Sequence, residues 1–119
     1  MKTFRFLEFP VYQESKIYYK AVKQISVTLL QRNRSLHDQI TRAALSVVLN
    51  IAEGSAKQSD KDFARFLETS VASMNEVVAC IDIMQEESYI SKEIKEKMID
   101  KAEFIVKQLG GFIKKLRNG

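Results

Sequence analysis

From Leu36 to Glu76 apolar residues recur at helical spacing in two consecutive stretches, separated by a short Gly/Ser turn. A chain with this pattern must bury helix against helix. On a helical wheel Leu36, Ile40, Ala43, Ala44, Val47, Val48 and Ile51 share one broad arc, the expected core face. Gln39, Arg42, Ser46, Asn50 and Glu53 gather on a second arc of roughly 80°. Leu45, Leu49 and Ala52 lie beyond that stripe, on the side a lone bundle turns to water. A helix apolar on both sides of a narrow polar stripe is enclosed on both sides. The pattern therefore predicts one side against the helix's own chain and the other against a neighbouring subunit. Scattered surface leucines, which are common, are the competing reading. A solvated stripe would favour Lys and Glu. Gln, Ser and Asn suit a confined place where polar groups must pair.

Gly54 is placed to end this helix in the left-handed conformation. Ser59 and Asp62 form a capping pair for the next helix. That helix buries Phe63, Phe66, Leu67, Ser70, Val71, Met74, Val77, Val78 and Ile81. Its outer side carries Ala64, Ala72 and Ala79, which either admit a close neighbour or serve only as good helix formers.

The run Gln39-x-x-Arg42-Ala43-Ala44-x-Ser46-Val47-x-x-Asn50-Ile51-Ala52-Glu53-Gly54, then Phe63-x-x-Phe66-Leu67 and Ser73-x-x-Glu76, resembles the four-helix-bundle proteins encoded within 23S rRNA intervening sequences. That family shares its fold with the accessory proteins of diversity-generating retroelements. The resemblance covers nearly the whole chain. Val48 stands where the family often has Pro, and Ala72 where it often has Gly; the first change predicts a straighter helix. The resemblance implies a homopentamer. It also implies a basic surface of the kind the retroelement accessory proteins use to bind nucleic acid and a reverse transcriptase.

The 119 residues predict one domain, with residues 1–9 as a short extended arm. One Pro and four Gly favour long helices over a turn-rich β fold. No apolar run approaches the ~18 residues of a membrane span, and the charged N-terminus does not read as a secretory signal. The single Cys80 excludes an internal disulfide and suits a reducing cytoplasm. Net charge is +3 over residues 1–30, +2 over 31–58, −5 over 59–90 and +4 over 91–119. An acidic third long helix among basic ones predicts complementary packing and leaves basic surface for an anionic partner.

Along the chain, Pro10 opens a first helix over 11–31 whose buried set is Val11, Tyr18, Ala21, Val22, Ile25 and Leu29. Tyr12 and Tyr19 interleave with Lys16, Lys20 and Lys23; they pack at the core edge or stack bases while the lysines hold phosphates. Ser35 is the expected cap of the second helix, with Asp38 in its first turn. The third helix ends near Glu87-Ser88, and Ser91 caps a fourth. Gly110-Gly111 weakens that fourth helix by roughly 1 kcal/mol per Gly. Close packing or a frayed end would account for the pair. Lys114, Lys115 and Arg117 complement its C-terminal dipole and, with Lys107, make a candidate phosphate patch. Four amphipathic helices with short connections predict an all-α, antiparallel up-down-up-down bundle.

The sequence carries no Gly-rich phosphate loop, nucleophile elbow or Cys/His metal spacing, so neither enzyme activity nor a cofactor is expected. His37 is the only histidine and has no companion ligand. Arg42 and Glu53 stand about 16 Å apart along one helix and cannot pair within it. With Gln39, Ser46, Asn50 and Glu76 they are expected to form a buried polar network at a helix or subunit junction, Glu76 being the partner proposed for Arg42. Leu45 and Leu49 supply the apolar part of that junction. Two functions remain open: a ring-forming bundle that binds RNA or DNA through Lys16, Lys20, Lys23, Lys107, Lys114, Lys115 and Arg117, or a protein scaffold that touches no nucleic acid.

Overall fold

Proline can start a helix because the amide it lacks is one the first turn leaves unpaired. Pro10 does so here, opening α1 (Pro10–Ser26) in the computed structural model, which describes residues 3–119. The first helix is shorter than its apolar spacing predicts. Buried Ser26 bonds back to the Val22 carbonyl at 2.7 Å, competing with the helix ladder. A turn follows, then the single-turn α2 (Leu29–Arg32). Asn33 breaks the chain at φ −160° and ψ 81°, and its side chain accepts from the Leu36 amide at 3.1 Å. Asn33, not Ser35, is therefore the cap of α3 (Arg34–Ser55); Ser35 already lies inside the helix.

The two remaining caps fall where the sequence places them. Ser59 accepts from the Asp62 amide and opens α4 (Asp60–Glu86). Ser91 accepts from the Ile94 amide and opens α5 (Lys92–Asn118). The turn that follows α4 carries Ser88, a left-handed residue at φ 63°. The Tyr89 amide reaches back to the Met84 carbonyl at 2.8 Å and Ser88 to Gln85 at 3.0 Å, so the last turn closes without a glycine.

The pairs α3/α4, α4/α5 and α1/α5 each run antiparallel, as their cross-contacts require. Ser46 meets Ser73 while Gln39 meets Glu76. Asp82 meets Lys95 while Glu68 meets Arg117. Tyr18 donates to the Met98 carbonyl while Phe9 touches Phe112. The helices pack around a four-sided perimeter in the order α1, α3, α4, α5, so the α3/α4 edge lies opposite the α1/α5 edge. The bundle measures 45 × 22 × 19 Å. Leu29, Ile40, Ile51, Leu67, Met74, Ile81, Ile105 and Leu109 fill its interior.

One end is closed by aromatics. Phe63 lies 5.1 Å from Phe112 and 6.3 Å from Phe9, centroid to centroid. Residues 1–2 of the expected arm lie outside the described residues; in the rest, Arg5–Glu8 forms a 3-10 turn instead of an extended segment. Arg5 donates to the Ser55 carbonyl at 3.1 Å, and its guanidinium stands 5.5 Å from the Phe63 ring. The arm thereby satisfies a carbonyl at the α3 terminus that the helix itself leaves unpaired.

Gly54 does not end α3 in a left-handed turn; it is helical and buried. A Cβ there would stand 2.7 Å from Phe66 Cβ and 2.8 Å from Phe63 Cδ1. The glycine is required by close approach of α4, not by backbone twist. Gly110 and Gly111 are also helical, and α5 continues through them with nothing within 4 Å of a built Cβ. Ala64, expected beside Ala72 and Ala79 on the outer face, is fully buried. One turn further on, Glu68 meets Arg117, so the C-terminal half of α5 lies over that flank. Gly54→Ala is expected to destabilise the fold by about 1–3 kcal/mol through overpacking. Gly110→Ala should stabilise it by roughly 1 kcal/mol. Chemical denaturation of both variants checks the contrast.

Candidate interaction surfaces

The α3/α4 edge displays the polar stripe. Ser46 and Ser73 share a hydrogen bond at 2.8 Å, and the Asn50 amide nitrogen donates to Ser46 Oγ at 3.0 Å and to the Ser46 carbonyl at 2.9 Å. Beneath this seam, buried Ser70 donates to the Val47 carbonyl at 2.9 Å. Gln39 donates to the Glu76 carboxylate. Small side chains at 46, 70 and 73 let the two helices close while every hydroxyl finds a partner.

Not every member of the stripe joins. Glu76 bonds Gln39, and Arg42 has no partner among the described residues; the Arg42–Glu76 pair expected from the sequence does not form there. Gln39, Arg42, Glu53 and Glu76 are exposed in the single subunit, and only Ser46 and Asn50 are half-buried. The network is therefore local to Ser46, Asn50 and Ser73, because a long charged side chain on the outer flank reaches water more cheaply than it reaches α4. Beside it Leu45 is 37% exposed and Leu49 46%; Leu45 and Arg42 line a groove with Tyr19 of α1.

Cys80 is buried under the same edge. Burial pushes its thiol above the usual range, and the Glu76 carboxylate pushes the same way. A thiol held protonated is a poor nucleophile. Tyr18, buried and bonded to the Met98 carbonyl, is likewise pushed up by desolvation. Among the described residues no group of His, Cys, Asp and Glu is placed to hold a metal ion. His37 instead pairs with its neighbour Asp38 at 3.1 Å. Among the described residues no helix is long and apolar enough to cross a membrane.

The basic candidates separate by partner. Lys16 stands 4.9 Å from the Tyr12 ring and Lys23 5.1 Å from the Tyr19 ring. Lys20, Lys107, Lys114 and Lys115 are exposed. None of these six forms an ion pair among the described residues. Arg117 differs: it binds Glu68 through two nitrogens at 2.8 and 3.2 Å, so its charge is already answered.

Sequence reading overlooked the opposite edge. Ile17 on α1 and Phe104 on α5 are 61% and 54% exposed, and they line a groove of about 240 Å³ with Ala21, Glu14 and Lys101. The signal was available, since Ile17 and Phe104 fall off the core arc of their own helices.

The sequence profile of the family described as 23S rRNA-intervening sequence protein matches residues 8–111. No curated protein matches the chain. Its fold matches the crystal structure of a protein of unknown function from the S23 ribosomal protein family of Bacteroides thetaiotaomicron, at 25% identity and a TM-score of 0.82. The match covers 87% of this chain and 98% of that one.

In a dilute single subunit, Arg42→Ala should change stability by no more than about 0.5 kcal/mol, as for an unpaired surface residue. The same change should lower the mass of any assembly. Thermal melts and light scattering on one sample read both.

Proposed function

The chain belongs to the 23S rRNA-intervening sequence protein family, and from that membership we propose that it works without catalysis, as a ring-forming bundle that holds RNA or DNA by its phosphates. The observation that carries this reading is the set of six lysines, 16, 20, 23, 107, 114 and 115, none of them neutralised by a carboxylate among the described residues. Lys16 and Lys23 lie over Tyr12 and Tyr19. A ring face occupied by an ammonium is not free to stack a base, which favours backbone contact over base reading. Closing copies into a ring, five by the family resemblance, repeats the patch. Avidity then exceeds what one subunit achieves.

A second reading is a scaffold for a protein partner, a reverse transcriptase among them, without nucleic-acid contact. The exposed Leu45 and Leu49 favour it. Nuclease-treated pull-down separates the two.

Six phosphate contacts predict that RNA affinity falls by roughly a thousandfold between 50 and 200 mM salt. Replacing Lys16, Lys20 and Lys23 together by Gln should flatten the salt slope by about three contacts per subunit. An electrophoretic shift assay at low salt that detects neither RNA nor DNA binding rejects the reading.

A further inference from the structure

The chain has seven Phe and four Tyr, and all but one are engaged within the subunit. Some meet ring to ring in the arm and at the sealed end. Others lie under Lys16, Lys23, Lys57 or Arg32. Tyr18 is buried, with its hydroxyl bonded to the Met98 carbonyl. Phe104 is the exception. Among the described residues no ring and no cation meets it, and it is 54% exposed. A free aromatic face beside unpaired lysines is the arrangement on which a nucleobase stacks.

Phe104 lines the α1/α5 groove with Ile17 and Ala21. The groove's volume of about 240 Å³ falls below the ~300 Å³ at which pockets for drug-sized molecules begin, so it suits one planar ring system. Two charges line it from opposite walls. Glu14 on α1 is half-buried and Lys101 on α5 is exposed, and neither has a hydrogen bond or an ion pair among the described residues. An ionised carboxylate accepts hydrogen bonds and offers none, so the partial burial of Glu14 is offset only when donors reach it. The fitting ligand therefore has a flat face for Phe104, in-plane donors for Glu14 and a negative charge for Lys101.

We infer that the groove takes an unpaired guanine of a nucleic-acid strand. The base lies against the Phe104 ring, its N1–H and N2 amino group donate to the Glu14 carboxylate, and the adjoining phosphate meets Lys101. Guanine is the base that presents two adjacent donors on its Watson–Crick edge. Adenine and cytosine set an acceptor beside their amino group, and uracil flanks its one imino donor with two acceptors; a carboxylate repels each of these. In a duplex that edge is occupied and both faces of the base are stacked, so a paired base enters only by leaving the helix. This rests on the phosphate binding proposed above and adds which strand form and which base the surface selects. The lysines over Tyr12 and Tyr19 hold backbone, and base reading falls to the groove.

The test reads binding by fluorescence anisotropy at low salt. The probes are a short uridine-rich RNA with one central guanine, the same oligomer with adenine there, their DNA counterparts, and each annealed to its complement. Phe104→Ala is expected to weaken binding of the guanine single strand roughly 5- to 150-fold, as for loss of one stacked base, and to leave duplex binding unchanged. Its salt slope should stay that of wild type, because no phosphate contact is lost. Wild type should prefer guanine to adenine by at least about fivefold, and Glu14→Gln, which exchanges an acceptor for a donor, should erase that preference. Both side chains are partly exposed, so each variant should melt with the wild type. If Phe104→Ala does not fold, Phe104→Leu keeps the apolar packing without a ring face and takes its place. Single-strand binding that survives loss of the ring overturns the inference, as does a guanine preference absent from wild type or retained by Glu14→Gln. A Phe104 variant of altered mass in sedimentation also overturns it, by assigning the groove to a contact between copies. Wild type that binds neither RNA nor DNA rejects the phosphate reading itself, whereas binding indifferent to Phe104 and to the central base rejects the groove alone.

Discussion

The approach of α4 to α3 is the constraint on which the rest of the bundle depends. It is made possible by what is missing at Gly54, where any Cβ would overlap Phe63 and Phe66. With that space free, Phe63 turns into the aromatic cluster that seals one end, and Arg5 spans the seal to reach the Ser55 carbonyl. Further along, Ser46, Ser70 and Ser73 continue the close approach with hydroxyls that bond across the seam. An apolar side chain of larger volume at any of these positions would force the helices apart, and a well-packed interior does not absorb such a change.

Close packing on this edge has a functional consequence. The seam uses up the small and polar side chains, so the outward flank is left with Leu45, Leu49, Arg42 and Glu53, which stay partly exposed. The acidic charge of α4 is answered only in part by α5, through Asp82–Lys95 and Glu68–Arg117. Exposed pairs of this kind add little stability. Their effect is on distribution: they remove Arg117 from the basic surface and leave Lys107, Lys114 and Lys115 unopposed.

Much of this architecture is legible in the residues. The caps at Ser59 and Ser91, the end of α4 and the buried faces of the long helices follow from spacing and cap chemistry, which are local. The misreadings share one cause. Gly54 reads as a helix stop because its usual local role is a left-handed turn, whereas its role here comes from residues nine and twelve positions further on. Ser35 and Asn33 are equally good caps by residue type, and the backbone bends at Asn33. Arg42 and Glu76 suggest a pair by sign alone, but the neutral Gln39 is the residue that binds that carboxylate.

The sequence by itself determined the number of long helices, their polarity patterns and their family, because periodicity and caps depend on neighbours within a few residues. Only the tertiary structure decided which helices form opposite edges, which glycine is crowded and which charges stay unpaired. Those properties depend on where side chains from distant segments end up in space, and a one-dimensional pattern carries no distances between them.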